Sequence, residues 1–483
     1  MYTNTNITSV KISDGVTSIG VSAFYGCTSL AKVVMANSVE KIGYEAFIGC
    51  TGLKEVTLSD NIKELEDFAF FNCENIENYN VLDGVKYLAS HNNPYLVAHS
   101  YLEDGLKDEI VIPDQTKFIS ARAFTYAAFS SVDIGDGVVS MGYGTFFYCQ
   151  SLKNITLNNN LKIIPELVFG YCNNLEEIII PTSVEVIDVD AFSNCSKLKE
   201  INIPSNVVSI GNHAFQACSS LEEITFGNTI TYLGYNVILG CDNLKVINYD
   251  IVKMAKDEYE SGLVPFHMVE KENTEITLNI GPSVEMLPDY IFSFGENITK
   301  VNFDVNSKIT YIGERAFEYC DKLESIVIPE GVKELGRYAL GMEKIKYISL
   351  PNSLETISSI GGGDFIEYTI VDGLYYLGNE TNPYLVLCKT DNSVYKADIN
   401  ENTKFIQYFA LSSDSIKEVY VPSNVKLMLS FPNMSDGIDV SIVFENKENW
   451  YVGEQLLDST KMDDIEYIRD MYFEYFDTPW INK

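Results

Sequence analysis

The chain has 483 residues, of which 34 are basic and 68 acidic, so its formal net charge at pH 7 is −34. This charge argues against nucleic acid and anionic membrane surfaces as partners, because both repel a strongly acidic protein. A hydrophobic content of 46%, with 31 Tyr and 26 Phe, excludes a disordered chain. No run of 18 apolar residues occurs, so the sequence predicts no membrane insertion.

The sequence repeats itself with a period of 23 residues. Residues 175–243 read LEEIIIPTSVEVIDVDAFSNCSK, LKEINIPSNVVSIGNHAFQACSS and LEEITFGNTITYLGYNVILGCDN, three copies without a gap. Such self-similarity predicts a solenoid, in which each unit packs only on its neighbours. Copies, three of them long, start at Ile7, Leu30, Leu53, Ile76, Phe129, Leu152, Leu175, Leu198, Leu221, Leu244, Ile298, Leu323, Ile345, Ile366 and Ile416.

Each copy contains two extended segments and a turn. The pattern L-x-x-I-x-I alternates as a strand does, a turn with Pro, Asn or Gly follows, and V-x-x-I-G forms a second extended segment. The segment x-x-A-F-x-x-C is predicted to form one short helical turn. The sequence therefore predicts an α/β solenoid of about fifteen coils, mostly β with short helical turns and a parallel inner sheet.

The consensus L-x-x-I-x-I-P-x-x-V-x-x-I-G-x-x-A-F-x-x-C resembles the BspA-like subclass of leucine-rich repeats. It differs from ordinary leucine-rich repeats in lacking the Asn after the strand and in replacing much of the Leu with Ile and Val. The resemblance implies a right-handed leucine-rich-repeat-like superhelix. It also implies a secreted or surface-displayed bacterial or protozoan protein that binds other proteins or host surfaces, and it implies no catalytic residues.

Most of the ten cysteines occupy one position of the repeat. Equivalent side chains of a solenoid point the same way, so we predict a ladder of small buried apolar residues instead of disulfides or a metal cluster, which needs converging ligands. The ladder comprises Cys27, Cys50, Cys73, Cys149, Cys172, Cys195, Cys218, Cys241 and Cys320, and Cys388 lies outside it.

Three inserts and a C-terminal segment interrupt the pattern. Residues 81–97 and 370–386 align without a gap, and Asp-Gly and Asn-Pro turn signals divide them into short apolar runs, which predicts an inserted β-hairpin in each. An irregular insert near 250–275, with a short helix over 254–260, is a candidate contact site. We predict a solenoid over residues 1–444 and a C-terminal cap over 445–483, where apolar residues from Ile465 to Tyr472 have near-helical spacing.

Charges on the predicted strands supply the candidate site. The second strand position alternates in sign from Lys153 to Lys245, which in-register parallel stacking favours. The next position instead stacks Glu177, Glu200 and Glu223. One interpretation is a solvated face. The other is a strip that binds a cation or a basic partner, flanked by Thr156, Asn202 and Thr225, although no D-x-D-x-D-G loop supports calcium.

Three tyrosines form a second candidate surface. Tyr347, Tyr368 and Tyr420 fall at predicted exposed strand positions in the last third of the chain. Exposed tyrosines often serve interfaces, and they also have high β-propensity. Beside Asn and Asp they could stack on sugars, which keeps a glycan ligand open.

These observations predict a non-catalytic binding protein for protein–protein interaction or host and cell adhesion, acting through its concave sheet and hairpins. A glycan-binding module and an accessory region of a larger enzyme are the alternatives. With four His and no G-x-S-x-G, H-E-x-x-H or phosphate-binding loop, we predict no enzyme activity and no cofactor. We expect a monomer. The abrupt start at Ile7 suits a cytosolic protein or, as we expect, an extracellular or cell-surface chain given without its signal peptide.

Overall fold

A computed structural model of the protein describes residues 6–102, 107–254, 259–260, 263–268, 274–361, 365–434, 440–474 and 478–483. The chain forms two compact units, one made of Met1–Ile251 and Pro265–Ile276, the other of Val252–Val264 and Thr277–Lys483. Most of the helix predicted over 254–260 lies outside the described residues.

Short strands recur along both units at the spacing of the repeat. Up to residue 251 they are β1 (Ser9–Ile12), β2 (Ser18–Ile19), β3 (Lys32–Met35), β4 (Lys41–Ile42), β5 (Glu55–Thr57), β6 (Glu64–Leu65), β7 (Asn80–Leu82), β8 (Val85–Leu88), β9 (Val97–Tyr101), β10 (Glu109–Ile112), β11 (Phe118–Ile119), β12 (Ser131–Ile134), β13 (Ser140–Met141), β14 (Asn154–Thr156), β15 (Ile163–Ile164), β16 (Val186–Ile187), β17 (Ser209–Ile210), β18 (Glu223–Phe226), β19 (Tyr232–Leu233) and β20 (Val246–Tyr249).

From residue 276 onward the strands are β21 (Ile276–Ile280), β22 (Met286–Leu287), β23 (Ile298–Phe303), β24 (Tyr311–Ile312), β25 (Ser325–Val327), β26 (Glu334–Leu335), β27 (Tyr347–Ser349), β28 (Thr356–Ile357), β29 (Thr369–Val371), β30 (Leu374–Leu377), β31 (Val386–Thr390), β32 (Lys396–Asp398), β33 (Phe405–Ile406), β34 (Glu418–Val421), β35 (Leu427–Met428), β36 (Ser441–Phe444), β37 (Trp450–Val452), β38 (Gln455–Leu456) and β39 (Trp480–Asn482). The described residues contain one α-helix, α1 (Ile465–Glu474), and a 3₁₀ turn at Ser459–Lys461.

Equivalent strands of successive coils pair in parallel, which confirms the predicted solenoid. In the first unit the longer strands stack as β1–β3–β5 and β10–β12–β14, and the two-residue strands as β2–β4–β6 and β15–β16–β17–β19. The register follows the repeat, since Ser9 lies opposite Lys32 and Lys32 opposite Glu55. In the second unit β22–β24–β26–β28 and β32–β34–β36 stack in the same way.

The segment predicted as a helical turn is instead a run of hydrogen-bonded turns. In the coil that contains Phe47, the N–H of Ala46 donates to the carbonyl of Gly43 (3.1 Å), and Glu45 has a φ of 55°. The Phe47 N–H donates to Ala69 O of the next coil at 2.8 Å. Positive φ at the third residue is the geometry of a type II turn. Every second N–H group therefore points along the stack towards the next coil, whereas in a helix it would bond to a carbonyl of the same coil.

Phenylalanine and cysteine fill the core beside these turns. Phe24, Phe47 and Phe70 stack with ring centroids 5.0 and 5.1 Å apart. The Sγ of Cys195 lies 3.2 Å from Phe169 O of the preceding coil, a contact in which the thiol donates. Equivalent thiol contacts recur in other coils, and all nine ladder cysteines are free and buried. The predicted thiol ladder is confirmed.

Each hairpin insert is a three-stranded meander. In the first unit β8 runs antiparallel to β7 and to β9, and β9 then pairs in parallel with β11. In the second unit β30 lies between β29 and β31, and β31 pairs in parallel with β33. Asp83-Gly84 and Asp372-Gly373 have positive φ at both turn residues, the geometry that two-residue hairpins require.

The C-terminal segment ends the parallel pairing of the second unit. Strand β39 runs antiparallel to β35 and to β37, and Trp480 on β39 and Trp450 on β37 are both buried. Helix α1 buries Ile468 completely, and Met471 and Tyr472 pack on the same cluster. The division at residue 444 and the capping role of 445–483 stay predictions.

Gly211→Ala is expected to lower the free energy of unfolding by about 1–3 kcal/mol, the usual range for overpacking. A Cβ at Gly211 would lie 2.4 Å from Val189 N, a backbone atom that cannot rotate away. Gly227→Ala is the control, because nothing lies within 4 Å of its Cβ position. Urea denaturation of the three proteins measures the difference. Equal stability of the two variants would contradict the close packing of coils.

The ladder thiols are expected to resist alkylation in the folded protein. Burial raises the pKa of Cys149 and Cys218 to about 12, so the reactive thiolate is scarce at pH 8. A Cys388→Ala variant, which leaves only ladder thiols, should gain no iodoacetamide adducts when native and nine when denatured. Mass spectrometry counts the adducts, and rapid native labelling of Cys195 would show that the ladder is not buried.

Candidate binding surface

The longer strands of the first unit expose every second side chain. In β18, Ile224 and Phe226 are buried in the core, whereas Glu223 and Thr225 are exposed. The same alternation holds in β10 and β12. The solenoid therefore presents a face on which equivalent side chains of successive coils lie side by side, about 4.8 Å apart in the direction of the hydrogen bonds.

The structure places the predicted glutamates on this face. Glu200 and Glu223 lie opposite each other in a parallel bridge, and Ile179 and Asn202 form a second bridge. This register puts Glu177 at the equivalent position one coil before Glu200. All three glutamates are exposed. Two adjacent columns thus run across the coils, one acidic, and one formed by Thr156, Ile179, Asn202 and Thr225.

Two further residues on this face were missed in the sequence analysis. Asn248 lies opposite Thr225, and its Nδ2 donates to Glu223 Oε1 at 2.7 Å and to Thr225 Oγ1 at 3.1 Å. Ile179 is 84% exposed. The signal was available in both cases, because each residue is one repeat away from a residue that was singled out. We name Glu177, Ile179, Glu200, Asn202, Glu223, Thr225 and Asn248 the acidic face.

The neighbouring charge column forms ion pairs. Lys245 Nζ lies 2.6 Å from Glu222 Oε2, so this lysine is bound to Glu222, and the Glu223 carboxylate bonds to Asn248. Elsewhere in the column, Lys54 pairs with Glu77 at 2.8 Å and Lys346 with Glu324 at 2.7 Å. Exposed pairs of this kind contribute only about 0–1 kcal/mol each. They favour the register and leave the carboxylates of the acidic face available to a partner.

The three predicted tyrosines lie in different surroundings. Tyr347 is 42% exposed and lies opposite Ser325. Tyr368 is half-buried in the second insert, where it packs edge-on against Tyr375, and Lys389 Nζ lies 4.7 Å from its ring centroid. Tyr420 is half-buried in β34. The three tyrosines thus have different neighbours, Ser325 opposite Tyr347, Tyr375 against Tyr368 and Asp398 opposite Tyr420.

In the described part of the chain, no three His, Cys, Asp or Glu side chains are grouped so that they could hold a metal ion. None of the helices described is long and apolar enough to cross a membrane. The acidic face is a row of exposed carboxylates and amides on neighbouring strands.

A family model described as a BspA type leucine rich repeat region matches the chain in six copies, over residues 1–92, 107–251 and 270–361. The chain belongs to this family. The BspA-type match covers the coils that carry the acidic face, and it confirms the resemblance drawn from the repeat consensus. No curated protein matches the sequence.

Several solved bacterial structures are similar to this BspA-type protein. A leucine-rich repeat protein from Bacteroides ovatus is 19% identical, with 91% of this chain and 92% of that chain covered and a TM-score of 0.42. A leucine-rich repeat protein from Eubacterium ventriosum is 23% identical, with 76% and 86% covered and a TM-score of 0.37. A leucine rich cell surface protein from Faecalibacterium prausnitzii is 23% identical, with 61% and 95% covered and a TM-score of 0.32.

A cavity of about 290 Å³ lies beside the first insert of the BspA-type array. The insert contributes Lys86, His99 and Ser100 to its lining, and the coils contribute Asp67 and Arg122. The Nδ1 of His99 is buried and has no hydrogen-bond partner among the described residues. Burial, together with the Lys86 ammonium, lowers the pKa of His99 to about 4. The imidazole is therefore neutral at pH 7 and can donate or accept one hydrogen bond.

His99 is expected to make the protein less stable in mild acid. In the unfolded chain the imidazole has a pKa of about 6.5, whereas in the folded protein it stays neutral down to about pH 4. The unfolded state therefore binds more protons between these pH values, and the free energy of unfolding falls as the pH drops from about 6.5 to 4. The full shift corresponds to about 3 kcal/mol, and partial exposure of the ring reduces it. Urea denaturation at pH 7.5 and 4.5 should show a smaller loss in His99→Gln. The same replacement at exposed His91 is the control, and an unchanged loss in His99→Gln would contradict the assignment.

Proposed function

We propose that the protein is a non-catalytic binding protein, displayed on the cell surface or secreted, that binds a basic partner protein through the acidic face. The observation that carries the proposal is the in-register pair Glu200–Glu223, which continues to Glu177. Like charges on neighbouring strands are unfavourable. A cationic surface laid across these carboxylates would relieve their repulsion and gain ion pairs that the acidic face does not make internally.

The composition of the acidic face supports a protein partner. Ile179 supplies an apolar contact in the middle of the carboxylates, and Asn202 and Thr225 supply hydrogen-bonding groups next to them. Interfaces combine apolar contacts with polar groups at the rim in this way. The net charge of −34 would also steer a basic partner towards the chain and speed association at low salt.

The inserts add a second contact surface to the proposal. Strands β7 and β29 are the outer strands of their meanders, and each pairs on one side only among the described strands. Val81 on β7 is 49% exposed and Ile370 on β29 is 55% exposed, and neither strand contains a charged residue or proline. Edge strands without such protection are the usual place for another strand to add.

The family and the description of one relative support the surface location. The Faecalibacterium prausnitzii protein is described as a cell surface protein. We extend that location to this chain as part of the proposal. Glycan recognition remains an outcome of the test, since Tyr347 is exposed and could stack on a sugar.

The test replaces Glu177, Glu200 and Glu223 together by Gln. Binding to immobilised lysine-rich peptides and to purified basic extracellular proteins should weaken about tenfold, which is 1.4 kcal/mol, because three exposed ion pairs of about 0–1 kcal/mol are lost. Its salt dependence should also flatten. Surface plasmon resonance at two ionic strengths measures both effects.

The matched control replaces Glu343, Glu448 and Glu454 by Gln, because these residues are exposed, lie outside the acidic face and change the net charge equally. An equal loss in both triple variants would mean that only net charge matters, which would overturn the site. Selective binding to a glycan array, with no basic protein bound, would favour the glycan alternative. Calcium binding by the parent and not by the Glu177, Glu200, Glu223 variant would identify the ligand as a cation instead.

A further inference from the structure

The hydrogen bonds between successive turn runs of the first unit are interrupted where the first insert separates two coils. One coil earlier, three N–H groups donate across the junction at 2.8–3.1 Å: Glu45 to Asp67, Phe47 to Ala69 and Gly49 to Phe71. One coil later the pattern resumes: Arg122 donates to Tyr143, Phe124 to Thr145 and Tyr126 to Phe147. At the junction between them, the equivalent N–H groups of Phe68, Phe70 and Asn72 have no acceptor within the described ranges.

The opposite side of this junction carries the matching acceptors. The carbonyls of Ala121, Ala123 and Thr125 stand at the repeat positions that accept these bonds in other coils. No described residue donates to them. The junction is the place where the first insert, with strands β7 to β9, separates two coils. A row of backbone donors therefore faces a row of backbone acceptors across the insertion.

The cavity near His99 lies between these two rows. It is lined by Phe68, Phe70 and Asn72 on one side and by Ala121 on the other. At one end Asp67 reaches past the interruption, because its Oδ1 accepts from Tyr143 N at 2.9 Å. A second cavity, lined by Ala123 and Thr125, lies along the same row of acceptors. We name this space, with its two rows of backbone groups, the ladder cleft.

Unpaired backbone groups in a partly enclosed space define what can bind there. A backbone donor or acceptor that lacks a partner when shielded from water costs about 1–3 kcal/mol. A ligand with acceptors on one edge and donors on the other, alternating at the spacing of a polypeptide, would satisfy both rows together. Adding a polypeptide segment to an open edge is a general mode of recognition.

We propose that the ladder cleft binds a short segment of a partner polypeptide, which takes the place of a coil in the hydrogen-bond ladder. Its carbonyls accept from Phe68, Phe70 and Asn72, and its N–H groups donate to Ala121 and the carbonyls that follow. The two cavities along the rows, of about 290 and 420 Å³, fall at the lower end of the range of ligand sites. This site is separate from the acidic face and does not depend on it.

The charges around the cleft favour a neutral segment. Lys86 and Arg122 contribute two positive charges to the lining, and Glu66, Asp67 and Glu74 contribute carboxylates. Lys86 Nζ already lies 4.5 Å from the Tyr79 ring centroid, and the Arg122 guanidinium 5.5 Å from that of Tyr143. Because both signs surround the cleft, neither a strongly acidic nor a strongly basic segment is preferred.

The chain itself supplies a suitable probe, the peptide GNHAFQA of residues 211–217. Within the fold, both backbone edges of this segment are hydrogen-bonded. Its carbonyls at Asn212, Ala214 and Gln216 accept from the preceding coil at 2.7–2.9 Å, and its N–H groups at His213, Phe215 and Ala217 donate to the next. A synthetic copy therefore offers the donors and acceptors that the ladder cleft leaves unmatched.

The experiment measures amide hydrogen exchange and peptide binding on the full chain. In the free protein, the amides of Phe68, Phe70 and Asn72 should exchange at least tenfold faster than those of Glu45, Phe47 and Gly49. The peptide should bind saturably and slow the three fast amides at least tenfold. A peptide N-methylated at the positions of His213, Phe215 and Ala217 lacks one row of donors and should not bind.

Ser100→Trp is expected to abolish binding, because it fills the cleft from β9. Ser131→Trp, at a half-buried strand serine outside the cleft, should not. Absence of saturable binding, with the three amides exchanging fast, would mean that the cleft holds water only. Binding that survives N-methylation, or protection confined to other amides, would also overturn the proposal. The N-methylated peptide decides the matter even if Ser100→Trp fails to fold.

Discussion

The structure depends on backbone hydrogen bonds that run from one coil to the next. Strands pair in parallel at a constant offset of one repeat, and the turn runs between strands are bonded in the same direction, as Phe47 N to Ala69 O illustrates. Because the strand edges, the alternate turn N–H groups and the buried side chains all need an adjacent coil, a coil is stable only when it lies between neighbours. A polypeptide built in this way must present the same edge at every turn.

This constraint explains which residues the repeat keeps. A glycine such as Gly211 stands where two coils approach so closely that a Cβ would meet backbone. Cysteine is small enough to be buried beside the stacked phenylalanines, and its thiol bonds to a carbonyl of the preceding coil, as in Cys195 to Phe169. Residues with positive φ, such as Glu45, turn alternate N–H groups along the stack. The consensus residues are therefore those that make contacts between neighbouring copies.

The length of the repeat and the position of each residue within it made much of the fold predictable from sequence. The spacing of the copies predicted the solenoid, the buried thiols and the register that brings Glu200 beside Glu223. The turn run was predicted as a helical turn, because A-F-x-x-C has helical spacing and a single copy does not reveal that Phe47 donates to the next coil. The ladder cleft was also missed. It arises where an insert separates coils, and no residue type marks a backbone group that has lost its partner.

The candidate surfaces also differ in how far the repeat position of their residues made them predictable. Glu177, Glu200 and Glu223 could be identified because like charges at one repeat position are visible in a sequence. Tyr347 and Tyr368 stand at the third position of their copies and Tyr420 at the fifth, and the surroundings of the three side chains differ. Asn248 shows the opposite case, since its phase alone placed it beside Glu223 and Thr225.

The meanders have a consequence for how such a chain can lengthen. Each leaves the coil at a strand and returns in parallel register, β9 onto β11 and β31 onto β33. Both inserts contain a cation–π contact between a lysine and a tyrosine. In the first insert Lys86 on β8 lies over Tyr79, and in the second Lys389 on β31 lies over Tyr368, so the lysine comes from a different strand. A coil and its meander therefore form one unit that ends in the register of the repeat. Adding or deleting such a unit would change the exposed surface and keep the register of the coils that follow.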